Sequence, residues 1–315
     1  MTETVVWYSG KDDFMKHTFE INRETKNHQF TSEIQENVPL CENMSMEQLY
    51  IETFNKRQTK FVQIMFSGGL DSEYALYVCL KNKIPVEAIT MRLRVKGVVV
   101  NTQDMYYSTN FCRLNDVKQV IVDLDVDKFM EQGEHFRYLD PYLITPHHVA
   151  TQFWLIEQCT GFPIIGGYYS WPWTSIHNPR FFSPIRSHYG QYHRFMQDKG
   201  IHGVGNMMMD SLDTNMLYVK THISIMENDT EGKYGGDYYR MVAFKQALFT
   251  ELGYKNPEPR FGSFGWESVN RELFNVEKVQ IELEDRYGTT TSKIVWGEKM
   301  AALNKSSPGS NTRFK

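Results

Sequence analysis

Residues 61–82, FVQIMFSGGLDSEYALYVCLKN, constrain this chain more than any other stretch. The run Phe61–Phe66 is apolar, short and bounded, as a strand buried on both faces would be. It stops at Ser67-Gly68-Gly69-Leu70-Asp71-Ser72, after which Tyr74, Ala75, Tyr77, Val78 and Leu80 recur at helical spacing as far as Asn82. Strand, glycine turn and helix in that order make an anion-binding arrangement. Adjacent glycines let the backbone approach a ligand and take positive φ without steric cost. The N–H groups of the first helical turn lack intrahelical acceptors, and the positive end of the helix dipole lies behind them. Ser67 and Ser72 add hydroxyls suited to phosphate oxygens.

The motif SGGLDS, after an apolar strand and opening a helix, resembles the signature of the PP-loop ATP pyrophosphatases. That family includes asparagine synthetase, GMP synthetase, NAD synthetase, argininosuccinate synthetase and several tRNA- and nucleobase-modifying enzymes. The different P-loop of kinases and GTPases, ending in Gly-Lys-Ser or Gly-Lys-Thr, is not found. The resemblance implies ATP bound at Ser67, Gly68, Gly69, Leu70, Asp71 and Ser72. It implies Mg2+ held partly by Asp71, because carboxylate and phosphate oxygens suit a hard octahedral cation. A tight turn followed by a plain helix cap is the alternative reading of these residues, and a cap is the plain alternative for Asp71 itself.

Length and composition narrow the setting. A chain of 315 residues can bury a large core, and its net charge of −4 with dispersed Lys and Arg does not suggest a long nucleic-acid groove. Aromatic residues reach 14% and the 16 Met are scattered, which points to packing. No apolar run approaches membrane length, and the opening MTETVVWYSGKDD is unlike a signal peptide, so a cytoplasmic protein without membrane contact is expected. Cys41, Cys79, Cys112 and Cys159 lie far apart, without a C-x-x-C, as in a reduced compartment.

In chain order, residues 5–8 and 17–22 read as short strands, and Met46–Asn55 reads as a helix led by Ser45. From residue 61 strands and helices alternate. Further strands are expected at Pro85–Leu93, Val117–Leu124 and Phe162–Ile165, and helices at Asn101–Asn115, after Asp127, and within Tyr142–Cys159. The expected fold class is α/β: a parallel twisted sheet with helices on both faces, adenine nucleotide alpha hydrolase-like by the resemblance, then an irregular, mainly α C-terminal region. The boundaries drawn are an extension at 1–60, an ATP-binding domain at 61–170, a substrate- and pyrophosphate-side region at 171–305 and a disordered tail at 306–315. Within the C-terminal region, 171–236 read as irregular, Asp237–Leu252 as an amphipathic helix ending at Gly253, and Trp266–Phe274 as a short helix.

Ligands of such sheets bind beyond the carboxyl ends of the strands. That rim would carry the glycine loop, Met91, Gly166, Gly167 and the aromatics Tyr168, Tyr169, Trp171 and Trp173, which could stack on a base or pack as core. Asp123, Asp125, Asp127 and Glu134 partly match a calcium loop, but Lys128 stands where its glycine belongs, so a strand end and helix cap is the better reading. His147 and His148 diverge by about 100° on a helix, poor geometry for one metal. PP-loop synthetases often use a distant cation to neutralise departing pyrophosphate. Among Lys233, Arg240, Lys245, Lys255 and Arg260, we select Lys245 and Arg260, with Asp71, as catalytic candidates; a solvated charge is the plain alternative for each.

The family's shared chemistry is adenylation with release of pyrophosphate. Thr2 stands where a glutaminase domain would place its cysteine, so the nitrogen donor would be ammonia or an amine. No zinc-binding cysteine cluster and no paired cysteines of the tRNA-thiolase kind are present, which ranks nitrogen transfer above sulfur transfer. Several relatives carry an acidic residue after the fourth strand, where this chain has Gly166-Gly167-Tyr168-Tyr169. The leading expectation is an asparagine-synthetase-like, AMP-forming ligase acting on a small-molecule or nucleobase acceptor. The alternatives are a deazapurine-synthase-like or thiolase-like enzyme modifying a nucleobase or tRNA, and a nucleotide-binding protein without turnover. Acceptor and oligomeric state are not encoded in any motif.

Overall fold

A computed structural model describes residues 1–35, 44–56, 61–167, 188–228, 238–256 and 275–295. The chain opens with an antiparallel meander, β1 (Thr2–Ser9), β2 (Met15–Asn22) and β3 (Asn27–Ile34). The first two lengthen the strands read at residues 5–8 and 17–22. β3 escaped the sequence because its inward row is His28, Phe30, Ser32 and Ile34, and the polar members hide the alternation. Those polar groups are satisfied internally. His17 lies between Ser9 Oγ at 2.7 Å and Ser32 Oγ at 2.8 Å, flanked by the rings of Trp7 and Phe30. Helix α1 (Met46–Asn55) follows, and buries Leu49, Tyr50 and Phe54.

The second sheet holds the glycine loop. Its elements run β4 (Val62–Met65), α2 (Leu70–Lys81), β5 (Val86–Val95), a short antiparallel β6 (Val98–Val99), α3 (Thr102–Leu114), β7 (Gln119–Asp125), α4 (Val126–Glu131), α5 (Glu134–Leu139), α6 (His148–Gln158) and β8 (Phe162–Ile165). The parallel strands lie in the order β7-β5-β4-β8, and an isolated parallel bridge from Ile164 to Val204 continues past β8. The chain therefore leaves β4 toward one edge and returns to its other side. In open α/β sheets such a reversal is the place where ligands bind, beyond the carboxyl ends of the strands.

Period-two alternation gives each sheet face its own core. Val62, Ile64, Phe66, Ala88, Phe162 and Ile164 join Tyr74, Ala75 and Val78 of α2 in one cluster. Met65, Met91, Leu93, Val95 and Ile165 face the other way, onto Val149, Phe153 and Ile156 of α6. The sheet is thus covered on both faces, as the α/β reading requires.

Three local expectations change. Asp127 does not cap a helix: α4 starts one residue earlier, at Val126, and the Asp127 carboxylate accepts from Lys96 N at 3.2 Å. The helix read there is also broken, because Gly133 at φ +73° ends one segment and starts α5. Within 171–236, read as irregular, stand α7 (His188–Asp198) and α8 (Leu212–Glu227). The sequence HYGQYHRFMQD of α7 is rich in polar residues and contains a glycine, which obscured the row Tyr192, Phe195 and Met196 that it buries.

Helix α9 (Tyr238–Glu251) matches its expectation, and α10 (Val276–Tyr287) leads to β9 (Thr289–Val295), which pairs parallel with β3. Neither α10 nor β9 was anticipated; β9, TTTSKIV, has little apolar pattern to read. The helix read at Trp266–Phe274 lies outside the described residues. No helix among the described residues is long and apolar enough to cross a membrane.

Candidate functional site

The glycine loop is fixed at its root. Phe66 N donates to Ile89 O at 2.8 Å, and Phe66 O accepts from Thr90 Oγ1 at 2.8 Å. Thr90 is buried and in turn accepts from Gln119 Nε2 at 2.9 Å, which also reaches Ser108 Oγ at 3.2 Å. Strands β5 and β7 and helix α3 thereby hold the loop's first carbonyl. Helix α3 also closes one side of the loop. Gly68 sits at φ +78°, and a Cβ there would lie 2.6 Å from Tyr107 Cβ and 3.0 Å from Ser108 N. Only glycine satisfies both the backbone and the close approach.

Gly69 is the N-cap of α2, at φ −85° and ψ 148°, and no side chain caps that end. Its carbonyl accepts from Glu73 N at 3.0 Å and from Ser72 Oγ at 3.0 Å. The Ser72 proton is therefore directed back into the loop, whereas Ser67 is exposed at its tip. The backbone donors at the start of α2 are the orphan N–H groups of any first turn, and here the cap is a residue with no side chain to occupy them.

Strand β8 ends against this turn. A Cβ on Gly166 would fall 2.5 Å from Ser72 Cα and 2.8 Å from the Asp71 carbonyl carbon. At Gly167, with φ +110°, it would fall 2.5 Å from Asn206 Oδ1. Gly166 thus adjoins the loop directly, whereas Gly167 lies against Asn206 and Met208. Asn206, which sequence reasoning did not single out, is buried and accepts from Met208 N at 3.0 Å. The Met91 carbonyl accepts from Asn101 Nδ2 at 2.8 Å, and its half-buried side chain packs against the second core.

Asp71, in the first turn of α2, forms an ion pair with Lys245 of α9, which stands 174 residues away in sequence. Both side chains are largely covered, at 13% and 12% exposure. Tyr50 and Tyr218, whose hydroxyls meet at 3.0 Å, are buried nearby, and burial pushes both phenols well above the ordinary tyrosine range. Two residues on from Asp71, Glu73 accepts from the Tyr254 hydroxyl and the Asn256 amide. Burial pushes its carboxyl up to about 7, against those two hydrogen bonds. Sequence reasoning missed Glu73; the available signal was a charged residue inside an otherwise apolar helical stretch. Arg260 and the aromatics Tyr168, Tyr169, Trp171 and Trp173 lie outside the described residues.

The remaining candidates have structural partners. Asp123 is gripped by Arg92 and Arg94, whose hydrogen bonds lower its pKa, and Asp125 pairs with Lys128 at 3.0 Å. His147 reaches Gln280 at 3.2 Å, and its ring meets that of His148 edge-on at 5.9 Å. Among the described residues no group of three or more His, Cys, Asp or Glu is placed to hold a metal ion.

No protein-family model matches the sequence, and no curated protein does. The fold itself defines a class, a parallel α/β sheet with an uncapped helix at its switch point. Solved structures similar to the chain include NMN synthetase from Francisella tularensis, at 12% identity and TM-score 0.34, covering 76% of this chain and 97% of that one. NH3-dependent NAD synthetase from Campylobacter jejuni is similar at 12% identity and TM-score 0.28, covering 70% and 100%. The U34-tRNA thiolase from Methanococcus maripaludis is similar at 14% identity and TM-score 0.28, covering 85% and 84%. These are likenesses of general architecture, so what the site does is argued from its own residues.

Proposed function

We propose that the chain binds ATP at Ser67–Ser72 and transfers its adenylyl group to an acceptor oxygen, releasing pyrophosphate, before ammonia or an amine displaces AMP. The observation that carries this reading is the pairing of an uncapped α2 N-terminus with Lys245, brought from α9 to the first-turn Asp71. The backbone donors of Gly69, Leu70 and Asp71 suit phosphate oxygens, and the dipole of α2 favours the negative charge. Lys245 is positioned to exchange Asp71 for the phosphate tail and to oppose the charge that gathers on pyrophosphate as the Pα–O bond breaks. The electron pair of that bond leaves with pyrophosphate. In the second step the nitrogen forms its bond to carbon as the carbon–oxygen bond to AMP breaks.

Asp71 offers one carboxylate, the usual protein share of a Mg2+ that keeps phosphate oxygens and water as its other ligands. It would hold the ion jointly with the nucleotide, and the ion would supply charge neutralisation. Nitrogen transfer is favoured over sulfur transfer by the state of the described thiols. Cys79 and Cys112 are buried, and burial pushes the Cys112 and Cys159 thiols up to about 12, far from a reactive thiolate at neutral pH. Cys41 lies outside the described residues. The test is ATP titration by calorimetry, followed by a screen for pyrophosphate and AMP release with Mg2+, ammonia and candidate carboxylate, nucleobase or tRNA acceptors. Release of ADP and phosphate would reject the reading.

A further inference from the structure

Helix α2 carries two buried carboxylates near its start, and only Asp71 has been given a role. Glu73 is 4% exposed. One of its oxygens gathers two donors, the Tyr254 hydroxyl and the Asn256 side-chain amide, both from the segment that follows α9. That segment turns sharply: Gly253 N donates to Thr250 O at 3.0 Å and Tyr254 N to Phe249 O at 2.7 Å. The Tyr254 ring then lies 4.6 Å from that of Tyr77, one turn beyond Glu73 on α2. Between these fastenings and Lys245, Phe249 packs on Tyr74 at 5.1 Å. Helices α2 and α9 are thus joined by three contacts in order, Asp71 with Lys245, Tyr74 with Phe249 and Tyr77 with Tyr254, and Glu73 fastens the last of these through the Tyr254 hydroxyl.

We infer that Glu73 is a positioning residue: by tying Tyr254 and Asn256 to α2, it fixes where α9 lies and holds Lys245 against Asp71. A helix moves as a rigid rod, so releasing the fastened end swings the lysine. The role deepens the ATP-site reading and rests on it, but the geometry of Lys245 can be tested without ATP.

The experiment compares wild type with Glu73→Gln and Glu73→Ala. Lys245 is labelled with acetic anhydride in the full chain without nucleotide and read by mass spectrometry. Labelling should accelerate at least threefold in Glu73→Ala and stay near wild type in Glu73→Gln, which keeps the shape and a hydrogen-bonding oxygen. Unchanged labelling in folded Glu73→Ala would overturn the inference, whatever ATP does. If wild type binds no ATP, the ATP-site reading fails while the labelling result still decides the position of Lys245.

Discussion

Helices α1 and α2 pack side by side, with Tyr50 edge-on to Tyr74 at 5.1 Å, and their N-termini are built in opposite ways. Ser45 caps α1 through a reciprocal box, its hydroxyl accepting from Gln48 N at 3.2 Å and its own N–H donating to Gln48 Oε1 at 2.8 Å. Gly69 begins α2 with no side-chain cap. The backbone is nearly the same at the two positions, φ −75° and ψ 160° at Ser45 against φ −85° and ψ 148° at Gly69. The difference is therefore one of side chain and not of conformation. One helix end is closed by its own side chain; the other has no side-chain cap, and the ATP site proposed above would make use of it.

The largest test of that contrast is Lys245. Lys245→Met should lower pyrophosphate release about 100- to 1000-fold, the scale seen when a charge-stabilising donor is removed from a transition state. Breaking the covered pair also leaves Asp71 without its counter-ion and costs stability on the order of 3 kcal/mol. A double variant separates the two effects. Asp71→Asn with Lys245→Met should recover much of the melting temperature and none of the turnover. Recovery of both would make the pair a structural strut.

Next in size is the loop itself. Gly68→Ala forces a side chain into positive φ at about 1 kcal/mol and against α3 at about 2 kcal/mol more. If the loop shifts to relieve this, ATP affinity should fall about 100-fold, by the usual 1.4 kcal/mol per factor of ten. Calorimetric titration reads it. Affinity unchanged in a folded variant would mean that the Gly68 side of the loop has no part in binding.

The contrast between helix ends is legible in sequence, because caps and glycine turns are local chemistry: Ser45 with Gln48, and Ser67–Ser72 between an apolar run and a helical one. So is the parallel sheet, whose strands are short apolar runs separated by helical spacing. What could not be read is whatever depends on distant chain meeting. Several cations in the C-terminal half were equivalent by spacing, and only the packing of α9 on α2 puts Lys245 at Asp71. Glu73 was not singled out because its partners, Tyr254 and Asn256, are about 180 residues away, and such pairing leaves no periodic trace. The meander hid β3 for the opposite reason: His28 and Ser32 are buried with partners, so polar residues occupy positions that a pattern search reserves for apolar ones.

The smallest effects discriminate best, because they exchange one helix end for the other. Ser45→Ala should cost about 1 kcal/mol of stability, a shift of a few degrees in melting temperature, and leave ATP affinity untouched. Gly69→Ser should do the reverse. The backbone at Gly69 already lies in the extended region that a serine cap uses. Serine over glycine at an N-cap is worth a few tenths of a kcal/mol, so stability should rise slightly. The new hydroxyl would accept from the same first-turn N–H groups that phosphate needs, and ATP affinity should drop about threefold, roughly 0.6 kcal/mol of competition. Opposite signs in stability and affinity from one added oxygen are the signature of an end kept open for a ligand. Should Gly69→Ser gain stability and bind ATP as tightly as wild type, the bare cap is no more than a permissive turn, and α2 differs from α1 only in how it starts.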